Sequence, residues 1–192
     1  MPLGEAVRSR QFIGLYLACL ICSFAVFVPF VHLVPYAVDH GVARSSAPLL
    51  LGMIGVGSTS GRFLFGGLAD RIGRAAALPA MHAGMALTLM IWAFATSLWP
   101  LAVFAIAYGV FYGAWVALLP AIVMDWFGGR NVGGLIGILY TSVAFGTLTG
   151  PAAAGFVYDA SGTYTLPILA AVGANLVAAA IMARPRVPDS TP

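Results

Sequence analysis

The chain has 192 residues, 61% of them hydrophobic and only 8% charged, with nine arginines, six acids and no lysine. A soluble domain carries about 25% charged and about 45–50% apolar residues, so this composition excludes a soluble enzyme. The net charge of +3 is too small and too scattered for nucleic-acid binding; the chain reads as an all-α integral membrane protein.

The charges divide the sequence into uncharged runs at 11–38, 45–61, 75–124, 131–158 and 160–183. A bilayer-crossing helix needs about 20 residues. The second run must therefore continue through Arg62 to about Ala69, and the run 75–124 must hold two helices. Thr96-Ser97 supplies the break, with Ser97 as a cap and Pro100 near the next helix start. Six spans are predicted, at 12–37, 46–69, 75–96, 100–124, 131–157 and 163–183, forming a membrane domain over 12–183. Residues 1–11 read as the end of a cytoplasmic linker and 184–192 as a cytoplasmic tail.

The first span is too long for a signal-peptide core. It carries Cys19 and Cys22 at CxxC spacing, but in an apolar run where cysteines pack as small hydrophobes. No metal site and no catalytic constellation is expected. With both ends cytoplasmic, Arg8, Arg10, Arg71, Arg74, Arg130, Arg184 and Arg186 lie inside and only Arg44 outside. That bias predicts a multi-pass protein of the plasma (inner) membrane with both termini in the cytoplasm.

Offset by 89 residues, the sequence matches itself. Gly57, Gly61, Gly66, Asp70 and Gly73 fall on Gly146, Gly150, Gly155, Asp159 and Gly162, so both copies read G-x3-G-x4-G-x3-D-x2-G. An offset of three spans puts the second copy upside down, as in the inverted repeats of secondary transporters. Gly57, Gly61, Gly146, Gly150 and Gly155, with Pro151 and Asp159, are then helix-packing positions. Close packing by glycine explains the same residues without a repeat, and the two readings are compatible.

The segment Gly61-Arg62-Phe63-Leu64-Phe65-Gly66-Gly67-Leu68-Ala69-Asp70-Arg71-Ile72-Gly73-Arg74 resembles the G-x3-D-R-x-G-R-R loop signature of the major facilitator superfamily. It matches at Gly66, Asp70, Arg71, Gly73 and Arg74 and departs at the last basic position, Ala75. These five residues read as a structural loop motif. Ser9-Arg10-Gln11-Phe12, the stretch His32 to Gly41, and Gly150-Pro151 through Tyr164 look like the C-terminal half of monocarboxylate-transporter-like and oxalate/formate-exchanger-like carriers. The resemblance covers about residues 5–183. It implies six transmembrane helices as a 3+3 inverted repeat, one half of a major facilitator fold, with a second six-helix half as partner. That half is expected in a separate chain, a second copy or an N-terminal portion.

Arg62 lies eight residues before Asp70, about 12 Å along a helix, where a charge costs at least about 2.5–3.5 kcal/mol on insertion scales. At 100° per residue it shares a face with Gly55, Ser58, Thr59 and Gly66. No acid lies within that span to neutralise it, so an anionic substrate is its natural partner. The resemblance implies the same, because in monocarboxylate carriers an arginine at this place binds the substrate carboxylate. Animal members carry an acid one turn earlier, where Ser58 stands here; oxalate exchangers add a base on the penultimate helix, which has no charge here between Arg130 and Asp159. His32 and Tyr36 on the first span, Tyr108 and Tyr112 on the fourth and Tyr140 and Thr141 on the fifth are further candidates for the substrate path. For His32 a structural hydrogen bond, and for the Tyr108, Tyr112, Trp115 stripe plain packing, stand beside that reading.

The expected function is secondary transport of a small organic anion, monocarboxylate-like, by alternating access. No cofactor is expected, and coupling is to protons or a counter-anion. The partners are that anion, the lipid bilayer and the second six-helix half, with no nucleic acid. A non-transporting fragment or membrane partner protein is the alternative. An intramembrane serine protease is more remote, because Ser60 lacks a Gly-x-Ser-Gly setting.

Overall fold

The computed structural model describes residues 2–183; the tail 184–192, with Arg184 and Arg186, lies outside the described residues. Among the described residues all regular structure is helical. The elements are α1 (Leu3–Arg8), α2 (Arg10–Val26), α3 (Val28–Asp39), α4 (Leu49–Ile72), α5 (Arg74–Phe94), α6 (Leu98–Phe127), α7 (Val132–Ser161) and α8 (Thr165–Ala183). Six segments are long and apolar enough to cross a membrane: the α2–α3 pair over Arg10–Asp39, then α4, α5, α6, α7 and α8 in turn.

Three local features differ from the sequence expectation. The stretch expected as linker forms a short helix, α1, and Ser9 then caps α2 by accepting from the Phe12 amide at 3.2 Å. The first span is not one helix over 12–37. It breaks at Phe27, whose amide bonds back to the Ala25 carbonyl. Pro29 is the physical reason, since it cannot donate to Ala25 four residues earlier and its ring crowds that carbonyl. At the fourth span the break is where Thr96-Ser97 puts it, but α6 already begins at Leu98, and the Ser97 side chain makes no cap hydrogen bond.

Packing follows a two-fold pattern. The most extensive contacts join α4 to α6, then α5 to α8, α7 to α2, α5 to α6 and α8 to α2. Exchanging span one with four, two with five and three with six maps this set onto itself, as a 3+3 inverted repeat requires. The repeat glycines make the α4–α6 and α7–α2 seams. A Cβ on Gly57 or Gly61 would fall on the carbonyl oxygens of Ile106 and Val110 in α6, and α6 returns Gly109 and Gly113 against Ile54 and Ser58. In the second copy Gly146 lies on Ser23 and Gly150 on the Phe24 carbonyl of α2. Backbone meets backbone in both, the contact that small residues permit in membranes. Gly66 and Gly73 have nothing within reach of a Cβ, so neither is a packing glycine among the described residues. Gly73 instead turns α4 into α5 at φ +89°, a conformation that L side chains rarely adopt.

Candidate functional site

The α4 face opposite the α6 seam is open. Gly55, Thr59 and Arg62 are exposed there, and the Thr59 hydroxyl donates to the Gly55 carbonyl at 3.1 Å. Arg62 forms no ion pair: the ion pairs among the described residues both belong to Arg74. Its guanidinium lies within electrostatic reach of the hydroxyls of Tyr112 on α6 and Tyr140 on α7. An arginine and two tyrosines from spans two, four and five thus lie within electrostatic range of one another.

The first span completes this wall. Tyr16 on α2 and Thr141 on α7 are hydrogen-bonded at 3.1 Å. Because the Thr141 hydroxyl donates to the Ile138 carbonyl at 2.7 Å, the Tyr16 hydroxyl is the donor to Thr141. The Tyr112 ring meets Phe30 edge-on at 5.2 Å and Phe27 at 6.1 Å, both at the break in the first span. One cation, two tyrosines and an aromatic floor therefore lie together, and the Tyr16–Thr141 pair ties spans one and five. Thr141 is a candidate from the sequence, whereas Tyr16, Phe27 and Phe30 are not singled out by it, because each is an ordinary span residue until the helices assemble.

Other expected site residues are placed elsewhere. Ser58 is buried in the α4–α6 seam with Gly113 against its backbone, so it does not share the open face with Arg62. Tyr108 is buried and donates to the Val26 carbonyl at 2.8 Å, at the end of α2. His32 is buried, with Nε2 2.9 Å from the Pro151 carbonyl. A carbonyl only accepts, so Nε2 carries the proton. Tyr36 points to span three, stacking on His40 and meeting Trp92 edge-on.

Tyr36 belongs to a separate polar cavity of about 350 Å³ at the Asp39 end of the bundle, with Asp39, His40, Tyr158 and Tyr164 among its walls. The Tyr158 hydroxyl donates to Asp39 at 2.9 Å and its ring stacks on Tyr164. Burial, reinforced by the neighbouring Tyr158, Asp39 and Asp159, pushes the Tyr164 hydroxyl up to about 12. Asp159 itself is exposed rather than packed.

At the opposite end, Arg74 binds Asp70 and Asp125 at 2.9 Å each. It thereby ties the close of α4 and the close of α6 to the start of α5. Asp70 thus bonds the arginine that opens α5. Cys19 and Cys22 are free and buried.

An all-helical, multi-pass membrane domain with an inverted repeat and an open face bearing one intramembrane arginine is the architecture of a transporter half. The model of the Major Facilitator Superfamily matches residues 13–192, and the chain belongs to that superfamily. It is 36% identical over 151 residues to Monocarboxylate transporter 12-B of Danio rerio, covering 76% of this chain and 31% of that protein. It is 34% identical over 168 residues to MFS transporter asaE of Aspergillus flavus, covering 86% and 38%. It is 31% identical over 163 residues to Monocarboxylate transporter 12 of Homo sapiens, covering 83% and 32%. The chain thus spans about a third of the length of these relatives, and it is monocarboxylate-transporter-like.

Proposed function

We propose that this chain is one six-helix half of a secondary carrier that moves a small monocarboxylate by alternating access, coupled to protons or a counter-anion. The observation that carries the reading is Arg62, a charge within a membrane span that has no ion pair among the described residues and stands on an open face within electrostatic range of Tyr112 and Tyr140. Intramembrane charges persist where they face a bundle interior or a water-filled path and have a partner there. A carboxylate matches the planar fork of the guanidinium with two parallel hydrogen bonds. The other described arginines sit at or beyond helix ends, so the site neutralises one negative charge, which favours monocarboxylates over dicarboxylates. Phe27, Phe30 and Tyr112 give the apolar remainder of the anion a surface to lie on. An open wall needs a facing wall, which a second six-helix half supplies; the relatives named monocarboxylate transporters support the same reading.

The test is uptake of radiolabelled lactate, with succinate for comparison, into vesicles holding this chain assembled with a complementary six-helix half. Arg62→Lys keeps the charge but loses the fork and is expected to weaken lactate uptake severely. Arg62→Ala should abolish it, since a hydrogen-bonded charge contributes about 1.5–3 kcal/mol, roughly tenfold or more in affinity. Arg44→Lys in the exposed α3–α4 loop should leave uptake unchanged. Normal uptake by Arg62→Ala in a correctly inserted protein removes the assignment.

A further inference from the structure

The two repeats differ at one place. α4 and α5 touch little, and so do α7 and α8. Each pair leaves a crevice between its helices, floored in the first repeat by α6 and in the second by α2. In the first crevice Phe111 of α6 lies over Gly84 of α5, where any Cβ would run into the ring. The same ring packs on Phe65 of α4 at 5.8 Å. Two phenyl rings close that crevice.

The repeat gives the counterparts. Gly61 lies on the Val110 backbone and its equivalent Gly150 lies on the Phe24 backbone, so Phe111 corresponds to Ala25. At the 89-residue offset Phe65 corresponds to Ala154. Both rings are therefore alanines in the second repeat. Both alanines line a cavity of about 380 Å³ between α7 and α8, with Val28, Val157, Leu166 and Ala170 among its walls, which are apolar throughout.

Protein interiors leave few voids larger than a water molecule. An apolar cavity stays dry and takes an apolar guest; about 150 Å³ suffices for benzene. Around this one Phe156, Val157, Leu166 and Leu169 are exposed, and at that depth of a membrane protein the surrounding solvent is hydrocarbon. A helix, about 10 Å across, is too wide for a gap that two phenyl rings would close, whereas a single hydrocarbon chain fits it.

We propose that the α7–α8 crevice is a lipid site, in which an acyl chain of a bilayer phospholipid takes the place that Phe111 and Phe65 fill in the other repeat. The site is separate from the Arg62 face and does not depend on what is transported.

The experiment places the full chain in phosphatidylcholine vesicles containing a tracer phosphatidylcholine with a diazirine on its acyl chain, then maps the photolabelled peptides. Labelling of residues 150–174 is expected to exceed that of residues 61–88 severalfold. Ala25→Phe with Ala154→Phe should bring the α7–α8 signal down to the α4–α5 level. The converse pair, Phe111→Ala with Phe65→Ala, opens the twin crevice and should raise labelling there, which keeps the test valid if the filled variant does not fold. Equal labelling of the two crevices in the unaltered chain overturns the proposal. So does an unlabelled α7–α8 crevice in which Ala170→Cys forms disulfides between copies, since a second copy then covers it.

Discussion

Arg62 and Gly61 are neighbours in sequence and opposites in role. One projects from α4 onto the open face; the other lets α4 touch the α6 backbone at Val110. A single methyl group distinguishes the seam from its surroundings. Gly61→Ala drives a Cβ into the Val110 carbonyl, which cannot move without shifting α6, and overpacking of this kind costs about 1–3 kcal/mol. Gly66→Ala, one turn further on, meets nothing. It should be neutral or stabilising by up to about 1 kcal/mol, because alanine is the better helix former. Thermal unfolding in detergent micelles separates the two, with a lowered midpoint for Gly61→Ala alone. Sequence spacing marked Arg62 as the odd charge and Gly61 as a packing residue. It did not show that Ser58 follows Gly61 into the seam, because a helical wheel gives directions around an axis and not which neighbour occupies each one.

The first span shows how one element can depend on another. Pro29 breaks it at Phe27, and the Tyr108 hydroxyl of α6 then donates to the Val26 carbonyl where α2 ends. Tyr108→Phe keeps the ring, stacked 6.5 Å from Tyr112, and removes only that hydrogen bond. It should lower stability by about 1 kcal/mol while leaving anion affinity unchanged. A chemical-denaturation midpoint and an uptake KM measured on the same variant check both halves of the statement; a raised KM with unchanged stability would put Tyr108 in the substrate path instead. His32 acts likewise, bonding the Pro151 carbonyl of α7. The proline was visible in the sequence, whereas the partner at the break comes from 82 residues away and the one that His32 bonds from 119.

For the whole molecule, the arginine bias predicts the Arg44 loop on the outer side and the Arg130 loop inside. Cys19 and Cys22 are buried and contribute little background to thiol labelling. Ser45→Cys and Thr96→Cys, both exposed, should react with a membrane-impermeant maleimide on intact cells. Gly129→Cys, where a side chain meets nothing, should react only after permeabilisation. Reaction of Gly129→Cys in intact cells would invert or break the six-span arrangement.

Composition and charge spacing alone determined that the chain is a six-span membrane protein, because hydrocarbon admits only long uncharged helices and arginines collect at their ends. The 89-residue match carried the inverted repeat, because a backbone contact tolerates only glycine and leaves that requirement in the sequence. Tertiary structure decided the rest. It gathered Arg62, Tyr112 and Tyr140 with Tyr16 and Thr141, buried Ser58, made Tyr108 a support for the break in the first span and made His32 a link between α3 and α7. It also left Ala25 and Ala154 beside a cavity where their counterparts are phenylalanines. An alanine in an apolar helix looks the same in sequence whether its neighbour fills the space or leaves it open; only the assembled helices distinguish the two.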